Sequence, residues 1–230
     1  MRQQAIVESL GWTPVKGTSW HAASRLEVGV DGIEQDRRWT PITRDLRAVK
    51  ATDVPQLAGL RVEPAQLPGV GEDLVFPRPR TVRYYHRPFT AWVHDGPLAR
   101  RIGAVVGEPV WLAHTTGPAG FIWSSPVSLL LRSELAHPTE PLPDDTARYR
   151  PNIVLNDREA PLSLRPGARI ELPDGVLLEA ERELDRCLVI NHHPVTGARD
   201  ANLLKRLRPG VLLGWGCRVL RPGTVHTTTG

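Results

Sequence analysis

Cysteine is scarce in this sequence, and its scarcity limits the chemistry that the chain can support. Only Cys187 and Cys217 occur among 230 residues, which is too few for a disulfide framework. The cysteine set that an iron–sulfur cluster requires is missing as well. The paired-cysteine, HExxH, GxSxG and phosphate-loop motifs are also absent. Electrons for any redox reaction would therefore come from a separate partner.

Long apolar segments are lacking too. No window approaches about 18 uninterrupted apolar residues, so a membrane-spanning helix is not predicted. The N-terminal stretch MRQQAIVESLGW lacks the continuous apolar segment of a signal peptide. We therefore expect a soluble cytoplasmic protein whose thiols stay reduced.

Lysine is rare, occurring only at positions 16, 50 and 205, so arginine supplies nearly all of the positive charge. The formal net charge is +4 and the pI is about 9.5. The chain has no run of five or more like charges of the kind found in nucleic-acid-binding tails. Its arginines occur in scattered pairs, which favours a pocket for a small anion over a DNA-binding stripe. A GC-rich coding bias would also explain the excess of arginine.

What the chain does contain is typical of a folded, β-rich protein. Apolar residues make up 40% of the sequence and tryptophan occurs seven times, enough for a sizeable core in one large or two small domains. Short alternating segments, punctuated by Gly, Pro and Asp, predict a mostly β fold with short helices. Helical spacing is predicted at 98–106, with Gly107 as the C-cap, and at 126–135 and 201–207. A hairpin is predicted at 169–179, with Pro-Asp-Gly at its turn.

The pattern changes near residues 88–96, where we place a boundary between an N-terminal module at 1–90 and a second domain at 95–224. Strand-like segments with frequent breakers dominate the first part, and the first helical spacing follows the boundary. The Thr-rich end of the chain predicts a disordered tail at 225–230.

The sequence RYRPNIVL at 148–155 is the most informative segment. Side chains alternate along an extended chain, so Arg148, Arg150 and Asn152 are predicted to share one face. Pro151 biases Arg150 toward an extended conformation. Two guanidiniums and an amide on one face suit a phosphate ester, which accepts several hydrogen bonds.

About thirty-five residues after the RYRPNIVL segment, Cys187 stands directly behind Arg186 in the sequence. A neighbouring guanidinium favours the thiolate, which is both a nucleophile and a soft metal ligand. The apolar residues that follow Cys187 are equally compatible with a thiol that fills a strand interior. Cys217 matches no motif, and we interpret it as a structural thiol.

These segments resemble a known family. RYRPNIVL, the later DRC and HPVTG together resemble the MOSC domain, named for the C-terminal part of molybdenum-cofactor sulfurase. PVKG at 14–17 and DRRW at 36–39 resemble the β-barrel module that precedes this domain in many members. The resemblance covers nearly the whole chain. It implies an N-terminal β-barrel-like module followed by a MOSC β-barrel domain, with the cofactor enclosed by both.

The resemblance also implies roles for individual residues. The cysteine of the RC pair, Cys187, would bind molybdenum directly or carry sulfur. Residues of the RPN element would hold the pterin and phosphate of molybdopterin, and Lys16 and Arg37 would contact the phosphate. The residues implied in cofactor binding are therefore Lys16, Arg37, Arg148, Arg150 and Asn152.

Several positions depart from the family pattern. Gly17 replaces a serine that would contact the phosphate, so that contact is lost or passes to Thr18 or Ser19. Lys50 and Thr52 stand where many members carry threonine and arginine. His192 and His193 replace a more acidic version of the segment, and they could reach a substrate or do nothing.

Resemblance to the family's mitochondrial amidoxime-reducing members implies a molybdenum-dependent oxidoreductase. It would reduce N-hydroxylated or N-oxide substrates by oxygen-atom transfer and take electrons from a partner. A second hypothesis is a non-catalytic carrier of molybdenum cofactor or of sulfur on Cys187. A third is a cofactor-free enzyme or regulator that binds another phosphorylated metabolite in the same pocket. Nucleic-acid binding ranks last, and neither a nucleic-acid nor a membrane partner is predicted.

Overall fold

The computed structural model describes residues 2–69, 71–136, 142–143, 145–207 and 212–228. Strands account for 37% of the described residues and helices for 17%, which confirms the prediction of a mostly β protein with short helices. The strands are β1 Arg2–Gln4, β2 Val7–Trp12, β3 His21–Ala23, β4 Arg25–Gly29, β5 Gly32–Ile33, β6 Trp39–Ile42, β7 Arg80–Tyr84, β8 Arg87–His94, β9 Trp111–Thr115, β10 Val127–Leu131, β11 Ile153–Leu155, β12 Arg169–Glu171, β13 Leu177–Asp185, β14 Leu212–Arg221 and β15 Gly223–His226.

The helices are short. The α-helices of the described ranges are α1 Pro97–Val106, α2 Thr146–Tyr149 and α3 Leu203–Arg206. Single 3₁₀ turns occur at Pro55–Gly59, Pro64–Gln66, Arg132–Leu135, Pro173–Gly175 and Leu188–Asn191. Within the same ranges, no helix has the length and apolar character needed to cross a membrane.

Within the described ranges the strands form three sheets. The largest has eight strands in the order β1-β12-β13-β14-β10-β11-β2-β3, and its pairs are antiparallel except β1 with β12 and β10 with β11. The others are β15-β4-β5 and β6-β9-β8-β7. In the described part of the chain, the edge strands β1 and β3 do not pair with each other, so the expected closed barrel is not found there.

The main core is formed by side chains from the eight-stranded and three-stranded sheets together, including Val7, Leu26, Leu129 and Val225. A second core packs the apolar face of α1 against Leu112 of the four-stranded sheet. Strands from the first predicted module enter all three sheets, so β1–β3 share a sheet with β10–β14. The division at 88–96 stays a prediction.

Several predicted elements are confirmed. Helix α1 ends at Gly107, which takes the left-handed conformation with φ 87° that glycine adopts at low cost. β12 and β13 form the predicted hairpin around Pro-Asp-Gly. α3 lies inside the predicted segment 201–207.

The predicted helix at 126–135 is wrong, because this segment forms β10 and a 3₁₀ turn. β10 pairs with β11 on one side and with β14 on the other, and Leu129 and Leu130 are fully buried. A short apolar run with both faces buried has the same sequence pattern as a buried helix.

The tail predicted to be disordered is ordered over most of its length. β15 pairs antiparallel with β4. Thr228 then exchanges hydrogen bonds with Val7: its backbone N–H donates to the Val7 carbonyl at 2.8 Å, and its Oγ1 accepts from the Val7 N–H at 3.0 Å. Residues 229–230 lie outside the described ranges.

Arg148 and Arg150 are not extended as predicted. Arg148 belongs to α2, and Arg150 caps that helix in the left-handed region with φ 50° and ψ 46°. Extended structure begins only at Ile153. The turn at Arg150 breaks the expected alternation, so Arg148 and Arg150 point to different parts of the molecule.

Candidate functional site

A cavity of about 360 Å³ lies where the loop after β2, the turn before β6, the start of β11 and the segment after β13 meet. Five cationic side chains and one carboxylate, Asp185, line it, so its lining carries an excess of positive charge. It brings together Lys16, Arg37, Arg150, Asn152 and Cys187, five of the six residues implied by sequence. Its remaining polar and aromatic lining includes Lys50, Thr52, Tyr84, Tyr85, Trp123, Ser124, Ser125, Ser128 and Arg186.

Asp36 organises the floor of this cavity. Its carboxylate is fully buried, and Oδ1 accepts the Thr13 N–H at 2.8 Å. Oδ2 accepts from Asn152 Nδ2 at 3.2 Å and from Arg37 Nη1. Because a buried carboxylate is stable only when paired and hydrogen-bonded, Asp36 and Arg37 depend on each other.

Asn152 is almost completely buried, and protein atoms use both ends of its amide. Oδ1 accepts from the Ser128 N–H at 3.0 Å and from Ser128 Oγ at 2.9 Å. Nδ2 donates to the Gly11 carbonyl at 3.3 Å in addition to Asp36. Asn152 therefore joins β10, β2 and the Asp36 turn, and it fixes the position of the cavity wall.

Arg37 and Arg150 connect the two motifs that carry them. Arg37 Nη2 donates to the Arg150 carbonyl at 3.2 Å. Arg150 Nη1 donates to the carbonyls of Gly17 at 3.1 Å and Thr18 at 3.3 Å. Burial, followed by the charges of neighbouring cations, lowers the pKa of Arg150 to about 10, so the guanidinium stays charged at neutral pH.

Lys16 lies beside these arginines. Its backbone N–H donates to the Trp39 carbonyl at 2.7 Å, and its Nζ lies 5.8 Å from the centroid of the Tyr84 ring. Burial lowers the pKa of Lys16 to about 7, and the charges of Arg37 and Arg150 act in the same direction. An anion in the cavity would relieve this repulsion and restore the full charge of the ammonium.

Cys187 is exposed at the cavity, immediately before the 3₁₀ turn at Leu188–Asn191 rather than inside the strand that its apolar neighbours suggested. Arg186 is anchored by Nε to the Leu213 carbonyl at 2.7 Å and by Nη1 to the Tyr149 carbonyl at 2.9 Å. Its Nη2 is buried without a hydrogen-bond partner among the described residues. Burial lowers the pKa of Arg186 to about 10, and the charge of Glu134 opposes that shift.

Arg148 does not line the cavity. Its guanidinium forms a two-pronged ion pair with Asp200, both bonds measuring 2.8 Å, and also donates to the carbonyls of Ile190 and His192. The hydrogen bond with Asp200 raises the pKa of Arg148. Arg148 thus anchors the segment that follows Cys187 through the carbonyls of Ile190 and His192, without lining the cavity.

The two histidines and the second cysteine also lie away from the cavity lining. His192 is buried with Nδ1 bonded to the Gly197 carbonyl at 2.9 Å, and His193 Nδ1 accepts backbone N–H groups of its own loop. Cys217 lies fully buried on β14, where burial raises the pKa of its thiol. This location agrees with the structural role predicted for Cys217.

Sequence reasoning missed the aromatic lining of the cavity. Tyr84 is a core residue at the end of β7, whereas Tyr85 and Trp123 lie in connecting segments without a periodic signal. Lys50 and Thr52 stood out only as departures from a family pattern, and the structure places both in the cavity wall.

The lowered pKa of Lys16 has a measurable consequence for stability. The ordinary value is 10.5, so between pH 7 and 10.5 the unfolded chain binds more protons and the free energy of unfolding rises with pH. Below pH 7 the buried Lys16 ammonium is charged in the folded protein, and it destabilises the folded state by its full amount. In the anion-free protein, Lys16→Met should therefore raise the free energy of unfolding at pH 6, by roughly 1–3 kcal/mol.

Urea titrations at pH 6, 8 and 10 would check this, with Lys205→Met as the control because Lys205 is exposed on α3. The advantage of Lys16→Met should shrink as pH rises. An advantage of equal size at every pH would contradict it.

The family model of the MOSC domain matches residues 94–228, more than half of the chain. Among solved structures, the YUAD protein from Bacillus subtilis is similar, with 16% sequence identity, a TM-score of 0.48, and coverage of 97% of this chain and 91% of that chain. No curated protein matches the chain.

Proposed function

Because the chain belongs to the MOSC-domain family, whose domains are associated with molybdenum cofactor, we propose that its cationic cavity binds that cofactor for an oxidoreductase reaction. The observation that carries this proposal is the meeting of Lys16, Arg37 and Arg150 with an exposed thiol in one cavity. The substrates would be N-hydroxylated or N-oxide compounds.

The donor set of the cavity fits a phosphorylated pterin. Five cations exceed the two carboxylates, Asp185 in the lining and Asp36 beneath Arg37, so positive charge remains for an anion to neutralise. Charge-assisted hydrogen bonds to phosphate are strong. The unpartnered Nη2 of Arg186 is a buried donor that needs an acceptor. A thiolate is a suitable ligand for a soft metal centre.

Each residue then has a role in binding. Lys16 and Arg37 would hold the phosphate, and Asp36 keeps the Arg37 guanidinium in place. Arg150 and Asn152 would form the pterin side, with Asn152 acting mainly through the wall that it fixes. Cys187 would be the metal ligand. Arg148, bonded to Asp200, would support the Cys187 segment without touching the cofactor.

The chemistry that the bound cofactor supplies is cleavage of an N–O bond: a hydroxylamine-type group, two electrons and two protons give the N–H compound and water. The chain contributes the positively charged cavity and the exposed thiol of Cys187 in its lining. The electrons would come from a separate partner protein. The assay is reduction of an amidoxime by the holoprotein with a reducing dye, and molybdenum-loaded protein without turnover would refute the oxidoreductase proposal.

A carrier function is the second candidate, and the exposure of the Cys187 thiol favours it. A molybdenum cofactor held by an exposed thiol could be passed intact to an acceptor protein without substrate reduction. Single-turnover assays separate the two functions. Bound molybdenum that transfers to an apo-enzyme, with no reduced product, would support the carrier.

The two arginines of the RYR segment offer a matched comparison. Arg150→Ala should weaken sulfate binding by about tenfold and cost only about 1 kcal/mol of stability, because two hydrogen bonds to carbonyls are lost. Arg148→Ala should cost roughly 2 kcal/mol, because the carbonyls of Ile190 and His192 lose a buried donor, while sulfate binding stays close to wild type. Asp200 is partly exposed, so water can solvate its carboxylate in the variant.

Calorimetric sulfate titrations and urea denaturation of both variants would measure these two effects. Equal losses of sulfate affinity in the two variants would show that Arg148 also faces the anion. A large stability loss with unchanged affinity in Arg150→Ala would make Arg150 a structural residue.

A further inference from the structure

An aromatic pair stands in the cavity together with Cys187. Tyr85 and Trp123 both line it, with ring centroids 4.4 Å apart and ring planes at 54°. Trp123 is 47% exposed, one of the few large apolar side chains left open to solvent among the described residues. A half-exposed tryptophan in a cavity wall adds little to the core, and its open face is available to a ligand.

The pair is held in place before any ligand arrives. Tyr85 has φ 53°, a left-handed backbone that is costly for a bulky residue and persists only where the surroundings impose it. Its ring packs edge-on against buried Tyr84, with centroids 4.9 Å apart. Arg87 Nη2 donates to the Trp123 carbonyl at 3.1 Å and secures the other half of the pair.

Two of the positions that depart from the family's pattern, Lys50 and Thr52, lie beside the same aromatic pair. Lys50 Nζ lies 5.4 Å from the centroid of the Tyr85 ring, within the range of a cation–π interaction. Thr52 lines the same cavity and lies near enough to Tyr85 to oppose the rise that burial causes in the pKa of its hydroxyl. The residues that replace the family pattern at positions 50 and 52 therefore surround the Tyr85 ring in the cavity wall.

We propose that Tyr85 and Trp123 form a specificity wall that selects N-hydroxylated substrates carrying a planar aromatic ring over saturated ones of equal size. This inference rests on the proposed function for the N–O chemistry, but the wall itself acts on binding. A flat ring can stack on the open face of Trp123 while its N–O group extends toward Cys187. A puckered saturated ring cannot make that contact over the same area.

The test compares benzohydroxamate with cyclohexanecarbohydroxamate, which differ in ring planarity at the same ring size. Each is titrated calorimetrically into the holoprotein without reductant, and kcat/KM is then measured with a reducing dye. Wild type should prefer the aromatic ligand by about tenfold in affinity. Trp123→Ala should reduce that ratio to near one, and Trp123→Phe should restore most of it. Val30→Ala serves as the control, because Val30 is exposed and outside the cavity.

The binding measurement tests the specificity wall, and the turnover measurement tests the oxidoreductase function, so either hypothesis can be rejected alone. Equal affinity for the two hydroxamates in wild type, or an unchanged ratio in Trp123→Ala, would overturn the specificity wall even if both compounds are reduced. A Trp123-dependent binding preference without reduction of either compound would support the wall and overturn the oxidoreductase function instead.

Discussion

Cys187→Ala should remove molybdenum from the purified protein and leave its fold intact. The thiol is exposed and lies at the end of a loop segment, so its loss opens no cavity in the core. The metal would lose the sulfur ligand that the chain supplies. Elemental analysis of protein from molybdenum-replete cells, together with a thermal unfolding curve, measures both effects.

The second cysteine is the matched control for this experiment. Cys217 is fully buried on β14 within the main core. Cys217→Ala should cost about 1–2 kcal/mol of stability through lost packing and should keep the wild-type molybdenum content. If Cys187→Ala retained stoichiometric molybdenum, the assignment of Cys187 as the metal ligand would be wrong.

Asp36→Ala should cause the largest loss of stability among substitutions at the cavity, roughly 3–5 kcal/mol, because it leaves buried charge and donors without a partner. The carboxylate accepts from Arg37, Asn152 and the Thr13 backbone, and its side chain has no exposure. The measurement is the urea midpoint of Asp36→Ala against wild type. Anion affinity should fall as well, since Arg37 loses the contact that orients it.

Asp31→Ala is the control for Asp36→Ala. Asp31 is exposed in the turn between β4 and β5, so its removal should change stability by less than about 0.5 kcal/mol. A small effect of Asp36→Ala, similar to that of Asp31→Ala, would show that Arg37 and Asn152 are satisfied without the carboxylate.

Much of the fold and of the site could be predicted from local sequence signals. The helix at Pro97–Val106 carries helical spacing and a glycine C-cap, and the hairpin after Arg169 carries Pro-Asp-Gly. Each signal lies within a few residues of the element that it specifies. The gathering of Lys16, Arg37 and Cys187 at one cavity follows from motif resemblance, because no local pattern indicates which loops meet.

The sequence predictions that were wrong concern segments whose conformation is set by contacts with residues distant in sequence. Alternation placed Arg148 beside Arg150, but the partner of Arg148 is Asp200, 52 residues further along the chain. That ion pair and the left-handed turn at Arg150 are tertiary features, and Pro151 alone predicted the opposite conformation. The segment at 126–135 failed because its run of leucines fits a doubly buried strand as well as a helix.

The aromatic wall could not be predicted for the same reason. Trp123 lies in a connecting segment that carries no periodic signal. Its proposed role in ligand binding depends on its contact with Tyr85, which is distant in sequence. Lys50 and Thr52 were visible as unusual residues, yet their common position beside Tyr85 in the cavity appears only in three dimensions.

Metal and pterin analysis of the wild-type protein tests the cofactor site most directly. Protein purified from molybdenum-replete cells should contain molybdenum and a phosphorylated pterin in equal amounts, each approaching one per chain. Folded protein that carries neither, yet binds sulfate through Lys16 and Arg150, would show that the cavity serves another anion and would contradict the account.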